Sequence, residues 1–324
     1  MARITMHQFQ EDKTVRAYFE DYLEAKRAQR SRRVSEVSIT TYRNKFDGIG
    51  VYFDFDIMMN DFSQKSVNEI IHNMEQGKRL DGEKGHVRDS TISSYLDTLR
   101  SFFKWCAEQG IKDDIKIEKY SFVDVPKEVY TNEEVKRLLE KPNLKKCSFG
   151  EYRNWVIVCF LLNSGCRMGT LINVLIKDLD FDNDMIFFRH MKARNLQYVP
   201  MGAEMKRILQ EYLKIRGGNP DSYLFPSEDD LQLSTNGLQT AIQRYNKSRG
   251  VNKTSIHLFR HYFAKSYLQN GGEVTRLQRI LGHKKIEMTI KYANLYGADT
   301  KLGFEEYSPL AVISAEMPHK IKMR

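Results

Sequence analysis

Residues 257–295 read HLFRHYFAKSYLQNGGEVTRLQRILGHKKIEMTIKYANL, a basic stretch with helical periodicity. His257 and Arg260 lie three residues apart, so on a helix their side chains share one face. Both side chains could then bind the same anion. The helical pattern is interrupted at Gly271 and Gly272. The stretch therefore predicts a helix that carries an anion-binding pair near its start.

A second helix is predicted after the two glycines. Its apolar residues recur at helical spacing and give one buried face, formed by Val274, Leu277, Ile280 and Leu281. The helix is expected to stop at Gly282, a typical carboxyl-terminal cap. His283 follows directly, so we expect its side chain to be presented at a corner of the fold.

A third helix is predicted to begin at Thr289. Ile290 and Leu295 would anchor this helix in the core, while Tyr292 would lie on another face. Tyr296 lies one turn later and is a competing tyrosine. A single histidine or tyrosine is more commonly a packed or surface residue than a catalytic one. A functional interpretation therefore depends on the joint pattern.

The composition indicates a soluble globular protein with two domains. The chain has 324 residues, of which 41% are hydrophobic and 29% charged. A net charge of +9 favours a polyanionic partner, because lysine and arginine release counterions from DNA. No apolar run is long enough to span a membrane, and the amino terminus is too polar for a secretory signal. We therefore expect a cytoplasmic, nucleoid-associated protein with reduced cysteines and no zinc site.

The first part of the chain predicts a helical domain over residues 1–112. Its helical patterns cover residues 15–23, 39–53, 64–74 and 92–106. The second helix is expected to start near Ser35 or Ser38, and Ser90 is expected to cap the last one. Periodicity lapses over residues 113–130, where Pro126 forbids a continuous helix. This stretch is the predicted interdomain linker.

A second domain is predicted over residues 131–298, followed by a tail at 299–324. Thr131 and Glu134 form a capping box. The apolar run 155–162 predicts a buried helix that ends directly before Arg167, whose guanidinium would need a protein carboxylate or a DNA phosphate as partner. Residues 185–188 and 196–201 predict the strands of a hairpin, with its turn at 193–195.

Basic and small polar side chains on the predicted helices are candidates for contacts with DNA. The basic run after the first helix is either a solvated charged end or a surface that follows phosphates. Hydroxyl and basic side chains lie on the outward face of the second helix, and polar side chains recur at helical spacing over residues 235–247. The candidate DNA-binding residues are Arg30, Arg32, Arg33, Thr41, Arg43, Lys45, Gln239, Gln243, Arg244 and Lys247.

The joint pattern of residues 257–292 resembles the carboxyl-terminal signature of the tyrosine recombinase (phage integrase) family. It consists of His-x-x-Arg-His, then Leu-Gly-His, then a tyrosine nine residues after that histidine. The resemblance extends from about Thr14 to Leu295. It implies a mainly α fold with a small β-sheet, in which a helical core-binding domain precedes a mixed α+β catalytic domain. The nine-residue spacing favours Tyr292 over Tyr296 as the nucleophile.

The resemblance also implies a catalytic set, formed by Arg167, Lys192, His257, Arg260, His283 and Tyr292. Tyr292 would attack a DNA phosphodiester to form a 3′-phosphotyrosyl link, which requires no ATP. The arginines and His283 would stabilise the phosphate charge. Lys192 would be the general acid, and His257 would assist proton transfer. No metal or other cofactor is expected, and His261 is interpreted as a structural residue that points elsewhere.

One position departs from the family pattern Gly-x-Arg-x-x-Glu-Leu, which Gly165, Arg167 and Leu171 match. Thr170 stands where the family usually has an acid, and its lack of charge predicts a looser hold on Arg167. Two alternatives to an integrase or resolvase therefore stay open. One is a catalytically inactive DNA-binding regulator, such as a phage repressor, and the other is a type IB topoisomerase-like enzyme.

The resemblance further implies the partners of the chain. We expect double-stranded DNA, a tetramer of this chain on DNA with a monomer or dimer when free, and an accessory DNA-bending protein. Residues 309–313 form the apolar patch of the tail. This patch predicts that the tail docks on a neighbouring protomer, or else on its own domain.

Overall fold

The computed structural model describes residues 12–29, 34–113, 115–122, 128–189, 196–296 and 308–310, except the side chains of residues 295 and 296. The chain divides into two compact units, Met1–Val125 and Pro126–Arg324. The described residues are mostly helical and include a three-stranded sheet, which confirms the predicted fold class. Within the described part of the chain, no helix has both the length and the apolar character that crossing a membrane requires.

The described residues of the amino-terminal unit form four α-helices: α1 (Val15–Ala28), α2 (Glu36–Gly50), α3 (Gln64–Gln76) and α4 (Asp89–Glu108). The side chain of Thr14 accepts the backbone N–H of Ala17 at the start of α1. Ser35 accepts the N–H of Ser38 in the same way at the start of α2. These caps satisfy backbone donors that have no partner within the helix, and they confirm the predicted start near Ser35.

The start of α4 differs from the prediction. Arg88 is its cap residue, and no side chain accepts a hydrogen bond there, so the prediction that Ser90 caps the helix is wrong. Ser90 instead lies in the first turn, after Asp89. A carboxylate in the first turn interacts favourably with the positive end of the helix dipole. The helix therefore begins before the hydroxyl residue that its sequence offers as a cap.

The core of this unit is rich in aromatic side chains. The rings of Phe19 and Phe46 stack with 3.8 Å between their centroids, and those of Phe46 and Phe55 with 4.2 Å. Phe62 stacks on Phe103 of α4 at 4.6 Å. Each ring buries a large apolar area, so this cluster holds the helices of the unit together.

The second unit combines helices with a small antiparallel sheet. Its described elements are α5 (Asn132–Leu139), α6 (Phe149–Ser164), α7 (Met168–Leu171), β1 (Leu179–Asp180), β2 (Met185–Phe188), β3 (Gln197–Pro200), α8 (Ala203–Arg216), α9 (Thr235–Ser248), α10 (His257–Gln269), α11 (Val274–Leu281) and α12 (Glu287–Tyr296). The strand order is β1-β2-β3, with Phe188 opposite Gln197. The predicted turn at 193–195 lies outside the described residues.

Helix α6 lies at the centre of the second unit. It is apolar on nearly all sides, and α5, α8, α9 and α10 pack around it. It ends at Gly165, which has a left-handed φ of 57°. A Cβ atom on Gly165 would lie 2.5 Å from the ring of Phe263 and 2.9 Å from Leu281. The glycine therefore allows α10 and α11 to approach the end of α6 closely.

The buried face of α12 is not the predicted one. Ile290 is 39% exposed, so the prediction that it anchors the helix is wrong, and the side chain of Leu295 lies outside the described residues. Tyr292 is 9% exposed and Thr289 is fully buried. Thr289 contacts His283, and Tyr292 lies one turn later on the same face of the helix. The buried face of α12 is thus the one that carries a polar contact, and the apolar Ile290 lies outside it.

We predict that Gly165→Ala lowers the free energy of unfolding of the second unit by roughly 2–4 kcal/mol, because it adds backbone strain and overpacks the core. Gly169→Ala is the matched control, since nothing lies within 4 Å of its Cβ position and its φ is not positive. The control should change stability by less than about 1 kcal/mol. Denaturant titration measures both values. Equal stability of the two variants would contradict the packing described for the end of α6.

Candidate active site

Four of the predicted catalytic residues meet in the second unit. Arg167 lies just after α6, and Arg260 lies in the first turn of α10. His283 follows the end of α11, and Tyr292 lies in α12. They are distant along the chain, but α10 packs against α6, α11 and α12. Tertiary packing therefore builds one cluster from separate elements.

The guanidinium of Arg260 is buried and held by helix ends. Its Nη1 donates to the Gly165 carbonyl at 2.8 Å, and its Nη2 donates to the Leu281 carbonyl at 2.8 Å. Gly165 caps α6, and Leu281 is the last residue of α11. Carbonyl groups at helix ends lack partners within the helix and carry the negative end of the helix dipole. They compensate the burial of a positive charge without a carboxylate.

Burial, together with the charge of Arg167, lowers the pKa of Arg260 to about 10. Arg260 therefore stays charged at neutral pH. Arg167 is partly buried, and its Nη1 donates to the Leu281 carbonyl at 3.5 Å, which is a long and weak bond. Among the described residues, neither arginine is paired with a carboxylate. The cluster thus keeps a net positive charge that no carboxylate of the described residues neutralises.

Thr170 lies in the short helix α7, three residues after Arg167. It is 5% exposed, and its backbone N–H donates to the carbonyl of Arg167 at 2.9 Å. A threonine supplies no negative charge to the guanidinium. At this position the chain therefore lacks the electrostatic restraint that a glutamate would add to Arg167.

His283 is bonded through both nitrogens of its ring. Nε2 lies 2.7 Å from Nη2 of Arg260, and Nδ1 lies 2.8 Å from Oγ1 of Thr289. A guanidinium can only donate, so Nε2 accepts, and Nδ1 carries the hydrogen that Thr289 accepts. Burial lowers the pKa of His283 to about 4, with further contributions from the charges of Arg260 and Arg167. The imidazole is therefore neutral at pH 7.

Tyr292 lies beside these groups in the same chain. Its ring is parallel to that of His283, with 6.3 Å between centroids and an interplanar angle of 3°. Burial raises the pKa of Tyr292, whereas the charge and hydrogen bonding of Arg260 and the charge of Arg167 lower it. The phenol thus lies next to two cations that favour its ionised form.

Two histidines of α10 have different surroundings. The ring of His261 lies 5.5 Å from that of Tyr292, so the prediction that His261 points elsewhere is wrong. The packing of α12 on α10 causes this proximity, and spacing along α10 does not reveal it. His257 is exposed at the first position of α10, one turn before Arg260. Lys192 lies outside the described residues.

The candidate DNA-binding residues of α2 lie on its accessible surface. Thr41 is exposed, and its hydroxyl donates to the carbonyl of Val37 at 2.7 Å. Arg43 forms a bidentate ion pair with Glu20 of α1, and Lys45 is partly exposed. Arg43 would have to exchange this carboxylate for a phosphate. Arg30, Arg32 and Arg33 lie outside the described residues.

The candidates of α9 are also distributed over a helix surface. Arg244 and Lys247 are exposed, whereas Gln239 and Gln243 are partly buried. Nε2 of Gln239 donates to the carbonyl of Thr254 at 3.2 Å, so this side chain already has a structural partner. The role of these residues in DNA binding stays a prediction. In the described part of the chain, no cluster of three or more His, Cys, Asp or Glu side chains could hold a metal.

Comparison with known sequences identifies relatives. Residues 128–298, more than half of the chain, match the phage integrase family. The tyrosine recombinase XerA of Saccharolobus solfataricus is 30% identical over 229 residues, which cover 71% of this chain and 72% of the relative. A tyrosine recombinase of Pseudothermotoga lettingae is 25% identical over 281 residues, covering 86% of this chain and 92% of the relative.

Solved structures share the fold. A lambda integrase tetramer bound to a Holliday junction aligns with a TM-score of 0.67 at 16% identity, covering 89% of this chain and 79% of the integrase. The Tn1549 transposon integrase in complex with transposon right end DNA aligns with a TM-score of 0.67 at 18% identity, covering 86% and 94%. At these identities the likeness shows a shared fold only.

We predict that the pKa of His283 in the folded chain lies near 4, below the ordinary histidine value of 6.5. In Arg167→Gln the midpoint should move up, because one positive charge is removed, but burial and Arg260 should keep it below 6.5. The measurement is an NMR titration of the histidine ring protons, with His283→Gln to assign the signal. A midpoint near 6.5 in the unmodified chain would show that His283 is solvated and not packed against Arg260.

The sequence signature, the clustered side chains and the relatives lead to one classification. The signature places the tyrosine nine residues after His283, and the fold brings both residues to Arg260. The family match spans the region that contains all four clustered residues. The chain belongs to the phage integrase family of tyrosine recombinases.

Proposed function

We propose that the chain is a site-specific DNA recombinase that cleaves and rejoins DNA through a 3′-phosphotyrosyl intermediate. The observation that carries the proposal is the contact of the buried Arg260 guanidinium with His283, beside the phenol of Tyr292. A nucleophile, two guanidinium donors for a phosphate and an imidazole thus lie together in one chain. The membership in the tyrosine recombinases supports the same chemistry.

The two arginines are proposed to bind the scissile phosphate. Arg260 is oriented by backbone carbonyls, which do not cancel its charge. Arg167 is partly accessible and has one long hydrogen bond to Leu281. Preorganised cations of this kind stabilise the charge that develops on the nonbridging oxygens in the transition state.

Tyr292 is proposed to attack the phosphorus while the 5′ oxygen of the next nucleotide leaves. The phenol loses its proton, and the leaving oxygen gains one, so the step needs a base and an acid. We assign the acid to Lys192 and assistance in proton transfer to His257. The new tyrosine–phosphate bond replaces the broken phosphodiester bond, and attack by a 5′ hydroxyl reverses the step without ATP.

We also propose a role for each part of the chain. Residues 1–112 form the core-binding domain, residues 113–130 the linker and residues 131–298 the catalytic domain. The candidate residues of α2 and α9, with Arg30, Arg32 and Arg33, bind DNA, which the net charge of +9 supports. The lambda integrase structure is a tetramer on a Holliday junction, and we extend a tetrameric assembly on DNA to this chain. The protein would act in the cytoplasm, at the nucleoid.

One alternative has a specific observation in its favour. Thr170 leaves Arg167 without the acid of the family pattern, as expected for a regulator that keeps the fold and binds DNA without cleaving it. A type IB topoisomerase-like enzyme would use the same chemistry without exchanging strands. A regulator would form no covalent adduct with DNA, and a topoisomerase-like enzyme would form the adduct and relax supercoiled DNA without recombining two sites.

We predict that the chain forms a covalent adduct with a nicked suicide substrate that carries its binding site, selected from a random-sequence DNA library. Tyr292→Phe should abolish the adduct because the nucleophilic oxygen is missing, while the affinity for DNA stays within about threefold. Tyr296→Phe is the matched control and should keep the adduct. Denaturing gel electrophoresis detects the product.

Other outcomes of this experiment, and of a plasmid assay on the same chain, indicate a different activity or a different nucleophile. Tight and specific binding by the unmodified chain without an adduct indicates a regulator. Adduct formation in Tyr292→Phe shows that another residue is the nucleophile. Relaxation of supercoiled DNA without recombination between two sites indicates a topoisomerase-like enzyme.

We predict that deleting residues 309–324 weakens assembly on two DNA sites, because the deletion removes the apolar patch that would dock on a neighbouring protomer. Leu310, within this patch, is 77% exposed, and most of the tail lies outside the described residues. Deleting only residues 316–324 keeps the patch and is the control. Native gel electrophoresis measures assembly, and adduct formation measures cleavage at a single site. Unchanged assembly in the longer deletion would exclude docking by the patch.

A further inference from the structure

The bond between His283 and Thr289 has a consequence for phosphate binding. Thr289 is fully buried, and its Oγ1 lies 2.8 Å from Nδ1 of His283. Its backbone N–H donates to the carbonyl of Ile286 at 2.8 Å, which fixes the position of the hydroxyl at the start of α12. The backbone of His283 is held by Gln278, whose side chain donates to its carbonyl at 3.1 Å. The ring therefore has little freedom to rotate.

In this tautomer the ring of His283 has no N–H donor on the nitrogen that faces Arg260. Nε2 of His283 accepts from Arg260 and so carries a lone pair, while the hydrogen is on Nδ1. The oxygens of a phosphodiester also carry lone pairs and only accept. A phosphate oxygen that approaches Nε2 in this state meets no donor. His283 must gain a hydrogen on Nε2 before it can contribute to binding the anion.

A hydrogen can reach Nε2 in two ways. Protonation would give an imidazolium, which is disfavoured in a buried site beside Arg260 and Arg167. Exchange of tautomers moves the hydrogen from Nδ1 to Nε2 through solvent and leaves the ring neutral. The second route adds no charge to a site that already holds two cations.

Exchange of tautomers requires a particular partner at Nδ1. After the exchange Nδ1 carries a lone pair and needs a donor where it previously needed an acceptor. A hydroxyl can do both at an unchanged distance, because the O–H bond rotates. A carboxylate could only accept and would hold the hydrogen on Nδ1, and an apolar residue could do neither.

We propose that Thr289 is a positioning residue that allows His283 to exchange tautomers when a phosphate enters the site. In the free chain Thr289 accepts from Nδ1, and in the complex with DNA it donates to Nδ1 while Nε2 donates to a nonbridging oxygen. The inference rests on the proposed strand cleavage and adds a specific means of preparing the site for it.

The exchange also changes the state of Arg260. One N–H of its Nη2 is directed at Nε2 of His283. Once Nε2 carries a hydrogen it no longer accepts, so this N–H is released toward the same phosphate. A single proton relocation thus supplies two donors, one from the imidazole and one from the guanidinium. Neither donor is available before the anion enters.

The direct test is NMR on a chain labelled with ¹⁵N histidine in the Tyr292→Phe background, which binds DNA without cleaving it. Ring nitrogen shifts and their couplings to the ring protons identify the tautomer of His283. We expect Nδ1–H in the free chain and Nε2–H in the complex with DNA. The Nδ1–H form in both states, or an imidazolium in the complex, would overturn the proposal. This measurement requires no change at Thr289.

A pair of substitutions tests the role of the hydroxyl. Thr289→Val keeps the shape of the side chain and removes its oxygen, and Thr289→Ser keeps the oxygen. We expect Thr289→Val to slow single-turnover cleavage by about tenfold or more, because the Nε2–H tautomer loses its hydrogen-bond partner at Nδ1, and Thr289→Ser to stay within about threefold. Equal rates in Thr289→Val and the unmodified chain would overturn the proposal.

The outcomes separate this inference from the proposed function. If the unmodified chain forms no adduct, the proposed function fails whatever the tautomer is. If the chain forms the adduct but the tautomer of His283 does not change on binding DNA, only the inference about Thr289 fails. If Thr289→Val does not fold, the tautomer measurement and the Thr289→Ser rate still decide the question.

Discussion

The guanidinium of Arg260 binds the carbonyl groups of Gly165 and Leu281, at the ends of two different helices. Burial of a positive charge is costly unless its hydrogen-bond donors are satisfied. The helix ends satisfy them with groups that have no partner inside their own helices. This interaction ties α6, α10 and α11 to one point, and the positions of His283 and Tyr292 follow from it.

The choice of carbonyls over carboxylates has a chemical consequence. A carboxylate would neutralise the guanidinium and compete with a phosphate for it, whereas a carbonyl leaves the full charge in place. The two arginines therefore form a positive site that is completed only by an anion. Burial, together with the same charges, lowers the pKa of His283 and keeps its ring neutral at pH 7. The neutral ring then has to acquire its donor by relocating a hydrogen, and a nearby hydroxyl makes this possible.

Local signals in the sequence predicted much of the architecture. The capping box of Thr131 and Glu134 is formed as expected, and Gly165 and Gly282 end their helices in left-handed conformations. These features depend on a few neighbouring residues, so the local sequence specifies them. The signature of residues 257–292 likewise identified the family and three of the four residues that cluster, and the Gly-x-Arg pattern identified Arg167. Ser90 is the exception among the caps, because helix α4 begins before it.

The sequence by itself determined most of the helices, the strands of the hairpin and the family, and it supplied the candidate reacting groups, because periodicity, caps and spacing act within a few residues of one another. Only the tertiary structure decided which face of α12 is buried, and it placed His261 beside Tyr292 and Thr289 beside His283. Local spacing favoured Ile290 as the anchor, but the buried face is the one that carries Thr289 and Tyr292. Such choices depend on partners on other helices, which a pattern along one helix does not contain.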